Sequence, residues 1–212
     1  MIHLVTSDNR ARYADAMDQY FKLRHDIYVV ERQWRGLTSS EGREIDDYDD
    51  DDSSYFLSIE DGRVTGASRI RPSTKPHMLE TVCPQLADVR GIPRGDGVFE
   101  WTRIFVVKNR RDGRYGGVLL GELFAAAIEY GVEEGIDEYS IALEAWWLPR
   151  LQALSWRLRP LGLPALINSD WWMAATLPLD LQTLHATRGF YELKGPSFVR
   201  EGLPSRPMSR IA

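Results

Sequence analysis

Hydrophobic and polar positions along the chain follow two periods, which together predict a mixed order of strands and helices. Apolar and polar residues alternate over 98–107 (VFEWTRIFVV), as in a half-buried strand. The 3.6-residue spacing of an amphipathic helix marks 10–26, and 116–135 is strongly helical after a glycine-rich loop. Asp61-Gly62 between two apolar runs indicates a β-hairpin. The other predicted elements are strands at 1–5, 54–61, 63–72, 139–145 and 172–180 and a short helix at 147–156.

This order of elements predicts a single domain of the α/β (α+β) class, with a mixed central sheet flanked by helices. We expect it to cover residues 1–195, and the proline-containing segment 196–212 to form a flexible tail. A chain of 212 residues can bury roughly 70% of its unfolded surface, so it needs no disulfide or metal to fold. Its one cysteine, Cys83, excludes an internal disulfide and multi-cysteine metal sites, and the surrounding ETVCPQL favours a packing role.

The charge and hydropathy of the chain exclude several classes of partner. A net charge of −5 argues against nucleic acid or an anionic membrane as the main partner. No stretch approaches the ~20 apolar residues of a membrane span. The first ten residues, MIHLVTSDNR, lack the apolar run of a signal peptide. The default expectation is a cytoplasmic protein.

Charged residues occur within apolar or aromatic sequence in three segments, 24–34 (RHDIYVVERQW), 44–49 (EIDDYD) and 99–106 (FEWTRIFV). Buried charges must be paired or hydrogen-bonded, and they often mark functional sites. Strict alternation along the third segment predicts that Glu100 and Arg103 project to opposite faces of the sheet, unless a bulge or strand splay intervenes. With one more arginine on a separate strand, the candidate residues are Arg24, Trp34, Asp46, Asp49, Arg69, Glu100 and Arg103.

Other signatures of catalysis or metal binding are absent from the sequence. The acidic run 46–52 (DDYDDDD) lacks the ligand-and-glycine pattern of a calcium loop, and the four histidines share no ligand spacing. There is no nucleophile elbow and no dinucleotide fingerprint. We therefore expect no metal, and chemistry that relies on carboxylates, backbone carbonyls and positioning.

The joint pattern of these segments resembles the acyl-homoserine-lactone synthases, the LuxI-type autoinducer synthases of bacterial quorum sensing. The resemblance covers about residues 1–180 and rests on motifs in order and at family-like spacing. These are Arg24 with Tyr28 (where Phe is common), Trp34, the stretch Glu44–Asp49, Arg69 followed by Pro72, and E-x-x-R at Glu100–Arg103.

The resemblance implies a GNAT-like acyltransferase fold and a reaction between S-adenosylmethionine and an acyl thioester of coenzyme A or acyl carrier protein. The methionyl amine attacks the thioester, and lactonisation then expels methylthioadenosine. Both reactants are substrates, so no cofactor is implied. Two alternatives remain open: a GNAT-like N-acyltransferase for another amine, and a non-catalytic ligand-binding module.

The resemblance also assigns roles to individual residues. Glu100 is the candidate general base, with a backbone carbonyl near Trp101 as its rival. The aromatic rings at 28 and 34 would face the adenine and the sulfonium, an arginine would hold the carboxylate, and the aspartates would orient the ammonium or brace the arginines. The residues so assigned to S-adenosylmethionine are Arg24, Tyr28, Trp34, Asp46, Asp49, Arg69 and Arg103.

Two further regions are assigned to the acyl donor. The loop 110–117 (RRDGRYGG) loosely resembles a GNAT phosphate loop, with Tyr115 where a small residue is expected. Segments 144–150 (EAWWLPR) and 160–166 (PLGLPAL) resemble the subgroup that accepts branched or aryl groups from coenzyme A, although ordinary core packing explains the paired tryptophans equally well. The loop residues are Arg110, Arg111, Gly113 and Arg114, and the acyl-pocket residues are Trp101, Ala142, Leu143, Trp146 and Trp147.

Overall fold

A mixed sheet forms the centre of the protein, as predicted. The computed structural model describes residues 1–37, 39–113 and 115–203. The sheet order is β1-β4-β5-β6-β7-β10-β8, with β9 paired to β10. Only the β6–β7 pairing is parallel among the described strands. The strands are β1 (Ile2–Val5), β2 (Ser39–Ser40), β3 (Arg43–Glu44), β4 (Ser54–Glu60), β5 (Arg63–Pro72), β6 (Val98–Val106), β7 (Glu138–Glu144), β8 (Arg159–Pro160), β9 (Ala165–Ile167) and β10 (Asp170–Pro178), with β2 and β3 forming a separate hairpin.

Helices cover both faces of this sheet. The largest apolar cluster lies between the sheet and α3, and a second packs the opposite face against α1. None of the helices in the described part of the chain is long and apolar enough to cross a membrane. The α-helices are α1 (Ala14–Arg24), α2 (Met78–Thr81), α3 (Gly117–Glu134), α4 (Leu148–Ala153) and α5 (Leu181–Phe190).

Two helical features go beyond the sequence-based prediction. The first predicted helix does not stop near residue 26, because α1 continues as a π-helical segment, His25–Glu31. The π-helix is rare and is often found at functional sites. Helix α5 was not predicted, although Asp180 caps it by accepting a 2.7 Å hydrogen bond from the Thr183 backbone N–H.

A β-bulge in β6 overturns the strict alternation predicted for this strand. Arg69 of β5 pairs with Thr102, whereas Ala67 pairs with Phe105, so two residues of β6 oppose one residue of β5. Arg103 occupies the bulge with a φ of 52°, in the left-handed region. The bulge returns Arg103 to the face that carries Glu100, and the predicted separation of these two side chains is therefore wrong.

The parallel pairing of β6 with β7 is short. It runs from Val98 opposite Glu138 to Glu100 opposite Ser140 and then ends, although both strands continue. Beyond this point the two strands separate, and the sheet is open in its middle.

The C-terminal segment extends the domain beyond the expected boundary. Val199 exchanges backbone hydrogen bonds with Ile2 and Leu4 of β1, and Phe198 is buried in the main core. A flexible tail therefore does not begin at residue 196. Residues 204–212 lie outside the described residues.

Gly121 of α3 packs against the residue that follows α5. A Cβ added to Gly121 would lie 2.2 Å from Cγ of Tyr191, just after α5. The Tyr191 hydroxyl donates a 3.0 Å hydrogen bond to the carbonyl of Tyr115, in the loop before α3. This close contact therefore also positions the loop.

We expect Gly121→Ala to lower the free energy of unfolding by about 1–3 kcal/mol, because the ring must shift to admit a methyl group. Gly189→Ala is the matched control, since this residue of α5 has nothing within 4 Å of an added Cβ. The control should be neutral or up to about 1 kcal/mol more stable. Urea denaturation measures both, and equal stability of the two variants would contradict the close contact.

Candidate functional site

Six charged side chains from four parts of the chain meet beside β5 and β6. Their contacts form a closed loop in which positive and negative groups alternate, and we call it the charge ring. Each arginine contacts at least two carboxylates, and each carboxylate contacts at least two arginines. Arg24 also contacts Asp46 across the loop, at 3.2 Å. In order around the loop, its members are Arg24, Glu44, Arg103, Asp46, Arg69 and Asp49.

The distances around the charge ring are those of charge-assisted hydrogen bonds. Arg24 donates from Nε to Glu44 at 2.5 Å and from Nη1 to Asp49 at 2.7 Å. Arg103 donates from Nη2 to Glu44 at 2.9 Å and to Asp46 at 2.7 Å. Arg69 Nη1 closes the loop on Asp46 and Asp49, at 2.5 and 2.8 Å.

Burial makes this pairing obligatory. The side chains of Arg24, Arg69, Glu44 and Asp49 are fully buried, and that of Asp46 is 12% exposed. Burial by itself would raise the pKa of Glu44, but the guanidinium groups of Arg103 and Arg24 outweigh it and hold that pKa below its usual value. The same surroundings lower the pKa of Asp46, because the guanidinium groups of Arg69 and Arg103 outweigh its burial. The ring therefore sets three guanidinium groups against three carboxyl groups.

Local turns bring the aspartates of the ring together. The Asp46 backbone N–H donates to Asp49 Oδ2 at 2.9 Å, and the Asp49 N–H donates to the Asp46 carbonyl at 3.0 Å. The Asp46 side chain also forms an Asx turn, because its Oδ1 accepts a 3.0 Å hydrogen bond from the Tyr48 backbone N–H. Residues 46–49 of the acidic run 46–52 therefore form a folded turn.

Where β6 and β7 separate, a cavity of about 510 Å³ passes through the sheet. Side chains from both faces line it. Its polar half lies on the α1 face, with Tyr28, Trp34, Glu100 and Arg103, and its apolar half lies on the α3 face. The two halves meet along β6.

Aromatic rings form one wall of the polar half. Tyr28 and Trp34 stack with centroids 4.7 Å apart, and the edge of Trp172 meets Trp34 at 5.1 Å. The Arg32 guanidinium lies 5.4 Å from the Trp34 ring centroid and donates to Glu144 at 2.9 Å. Of the charge ring, only Arg103 lines the cavity, so the other described members lie behind it.

Glu100 faces the polar half beneath the start of α2. Its two carboxylate oxygens accept backbone hydrogen bonds from Met78 at 3.0 Å and Leu79 at 2.6 Å. The side chain is buried, and this burial raises its pKa above the ordinary value, although the two N–H groups act in the opposite direction. Burial likewise raises the pKa of the neighbouring Cys83 thiol to about 12, so a packing role suits this residue.

The apolar half differs from the predicted acyl pocket in two of its five residues. Ala142 lines the cavity but packs with the cluster on the opposite face of β7. Trp146 is 47% exposed, stacks on Trp147 and lies beneath Arg150, so it forms part of the rim. The residues that line the apolar half are Trp101, Leu120, Phe124, Ile141, Leu143, Trp147, Leu151 and Trp156.

The predicted phosphate loop is only partly at the cavity. Arg110 is directed away from it and pairs with Glu60 on the surface. Arg111 lines the cavity, with Nε bonded to the Val106 carbonyl and Nη1 to Glu31, each at 2.7 Å. Gly113 has a positive φ of 64°, and Arg114 lies outside the described residues.

Several lining or bracing residues were missed by the sequence analysis. Glu44 belongs to the motif Glu44–Asp49 but was not assigned to the site. Its position close to Asp46 and Asp49 in sequence was the signal that could have identified it. Arg32 and Glu144 pair across the cavity, but they are distant in sequence and nothing in the sequence links them. Residues 1–37, 39–113 and 115–203 contain no group of three side chains arranged to hold a metal ion.

Comparison with known proteins gives a consistent answer. A family model described as autoinducer synthase matches residues 8–186. The chain is 44% identical over 204 residues to isovaleryl-homoserine lactone synthase of Bradyrhizobium diazoefficiens, covering 96% of this chain and 90% of that one.

Solved structures agree with the sequence comparison. A CoA-dependent acyl-homoserine lactone synthase, BjaI, solved with SAM and isopentyl-CoA, has a TM-score of 0.90 and 42% identity, covering 97% of this chain and 95% of that one. A putative N-acetyltransferase from Lactobacillus plantarum shares the fold alone, with a TM-score of 0.56 and 16% identity over 84% of this chain and 99% of that one. The chain belongs to the autoinducer synthase family.

Proposed function

We propose that the protein is an acyl-homoserine-lactone synthase that joins S-adenosylmethionine to a short branched acyl group carried by coenzyme A. The observation that carries this proposal is the cavity through the open sheet, which has a polar, aromatic half and an apolar half that meet along β6. A cationic nucleoside and an acyl chain need these two environments. The relative from Bradyrhizobium supports a branched acyl group by its name, isovaleryl-homoserine lactone synthase.

The polar half suits S-adenosylmethionine group by group. Trp34 and Tyr28, stacked on each other in the cavity wall, offer an aromatic surface to the sulfonium cation and adenine. Arg103 is the ring arginine that lines the cavity, so it is the one available for the carboxylate. Arg24, Asp46, Asp49 and Arg69 then act as braces, because their charges are already paired with one another.

The reaction needs one proton removed before attack. An α-ammonium group has a pKa of ~7.7–8.0, and Glu100, with its raised pKa, is suited to accept its proton. The free amine then attacks the thioester carbonyl, so that a C–N bond forms and the C–S bond breaks, and the departing thiolate takes a proton. A backbone carbonyl of β6 near Trp101 is the alternative acceptor.

The second step closes the lactone. The carboxylate oxygen attacks the carbon attached to the sulfonium, a C–O bond forms and the C–S⁺ bond breaks. Methylthioadenosine leaves as a neutral thioether, so no further proton is required. Arg103 can hold the carboxylate through both steps, since it is anchored by Glu44 and Asp46.

The acyl donor enters between the separated strands. Gly116 and Gly117, both with positive φ, turn the chain into α3, whose first backbone N–H groups have no partner within the helix. Together with Arg111 they suit a phosphate or pantetheine group of coenzyme A. An acyl carrier protein as donor would need a docking surface in addition to this site. Because both substrates are made inside cells, we place the reaction in the cytoplasm.

Incubation of the protein with S-adenosylmethionine and a panel of acyl-coenzyme A thioesters tests this proposal. We expect isovaleryl-coenzyme A to be used best, with methylthioadenosine and free coenzyme A released in equal amounts. Free thiol without methylthioadenosine would indicate an acyltransferase for another amine. Binding without either product would indicate a ligand-binding module.

We expect Glu100→Gln to lower kcat at least tenfold, about 1.4 kcal/mol of barrier, because the amide cannot accept the proton. In the wild-type protein kcat should fall as pH drops through the raised pKa of Glu100, and this acid limb should vanish in the variant. Glu80→Gln is the control, because this glutamate lies in α2 and is paired on the surface with Arg94. If Glu100→Gln keeps the wild-type kcat, Glu100 is not the general base, and the backbone carbonyl near Trp101 is the remaining candidate.

We expect Arg24→Ala to lower the free energy of unfolding by about 3–5 kcal/mol, because it leaves Glu44 and Asp49 buried with one arginine partner each. Arg110→Ala removes an exposed ion pair with Glu60 and should cost less than about 1 kcal/mol. Urea denaturation compares the two. Similar losses would mean that the charge ring is not the brace we infer.

A further inference from the structure

The apolar half of the cavity is closed toward α5 by the indole of Trp156. This ring is buried, with 4% exposure, and its centroid lies 5.0 Å from that of Phe124 and 6.1 Å from that of Trp101. All three rings line the cavity, whereas no residue of α5 does so among those described. Trp156 is therefore the layer between the cavity and α5.

A buried polar contact fixes this indole. Its Nε1–H donates a 2.8 Å hydrogen bond to Oγ1 of Thr187 in α5. The Thr187 hydroxyl donates in turn to the Thr183 carbonyl at 2.8 Å. Rotation of the indole would leave its buried N–H without a partner, which costs the desolvation free energy of that group. The ring is therefore held in one orientation.

The backbone of Trp156 is fixed as well. The residue follows Ser155, which has a positive φ of 62° at the end of α4. Its N–H donates to the Leu151 carbonyl at 3.3 Å. Both ends of the side chain are thus anchored.

We propose that Trp156, positioned by Thr187, sets the maximum length of the acyl group, an inference that rests on the proposed function. A short branched chain ends before the indole, whereas each added methylene of a straight chain must displace it. One methylene that does not fit a pocket changes kcat/KM by roughly 10- to 200-fold. Trp156 therefore determines specificity through contact, and Thr187 is a positioning residue that acts through it.

Trp156→Leu tests the first part of this proposal. We expect the ratio of kcat/KM for octanoyl-coenzyme A to that for isovaleryl-coenzyme A to rise at least tenfold, because the cavity opens toward α5. Trp171→Leu is the matched control, since Trp171 is 59% exposed and does not line the cavity. A ratio within twofold of wild type in folded Trp156→Leu would overturn the proposal.

A pair of variants at Thr187 tests the second part. Thr187→Val keeps the shape of the side chain but removes the acceptor, so the indole is released and the ratio should rise several-fold. Thr187→Ser restores the hydroxyl and should keep the wild-type ratio. Equal ratios in these two variants would show that the hydrogen bond has no part in chain-length selection.

The outcomes also separate this inference from the proposed function. If Trp156→Leu does not fold, Trp156→Phe, which keeps an aromatic ring but is smaller, must raise the same ratio. Release of methylthioadenosine by the wild-type protein tests the function by itself. If the wild type releases none, the dissociation constants of the two thioesters replace kcat/KM in the ratio, and the same shifts support or overturn the limit set by Trp156.

Discussion

Six charges can be buried together only when each has partners of opposite sign close on both sides. The charge ring meets this condition by joining the end of α1, the turn after β3, and strands β5 and β6. The π-helical segment that carries Tyr28 follows directly after Arg24. The aromatic wall of the cavity is therefore placed by the same contacts that neutralise the ring.

The bulge at Arg103 connects this ring to the chemistry. A regular β6 would direct Arg103 toward α3, into the apolar cluster around Trp101, where no carboxylate is available. The positive φ at Arg103 carries a strain of order 1–3 kcal/mol, which its hydrogen bonds to Glu44 and Asp46 offset. As a result one cation of the ring faces the cavity on the same side as Glu100.

Sequence patterns were sufficient for the mixed sheet and for five of the six residues of the charge ring, all but Glu44, because charges within apolar segments are visible in a single chain. They failed where tertiary contacts override the local period. The alternation along β6 gave the wrong face for Arg103, since a bulge depends on the partner strand. The pairing of Arg32 with Glu144 and the contact of Trp156 with Thr187 join residues far apart in sequence. No local sequence pattern predicts such contacts.

The closed, alternating order of the charge ring also limits how this part of the chain can change over generations. Any single exchange that removes one charge leaves two neighbours underpaired in a buried place. Loss of two adjacent members, such as Arg24 and Glu44, would leave a balanced row of four. Viable routes to a different arrangement therefore require paired exchanges, so neighbouring members of the ring should change in pairs or not at all.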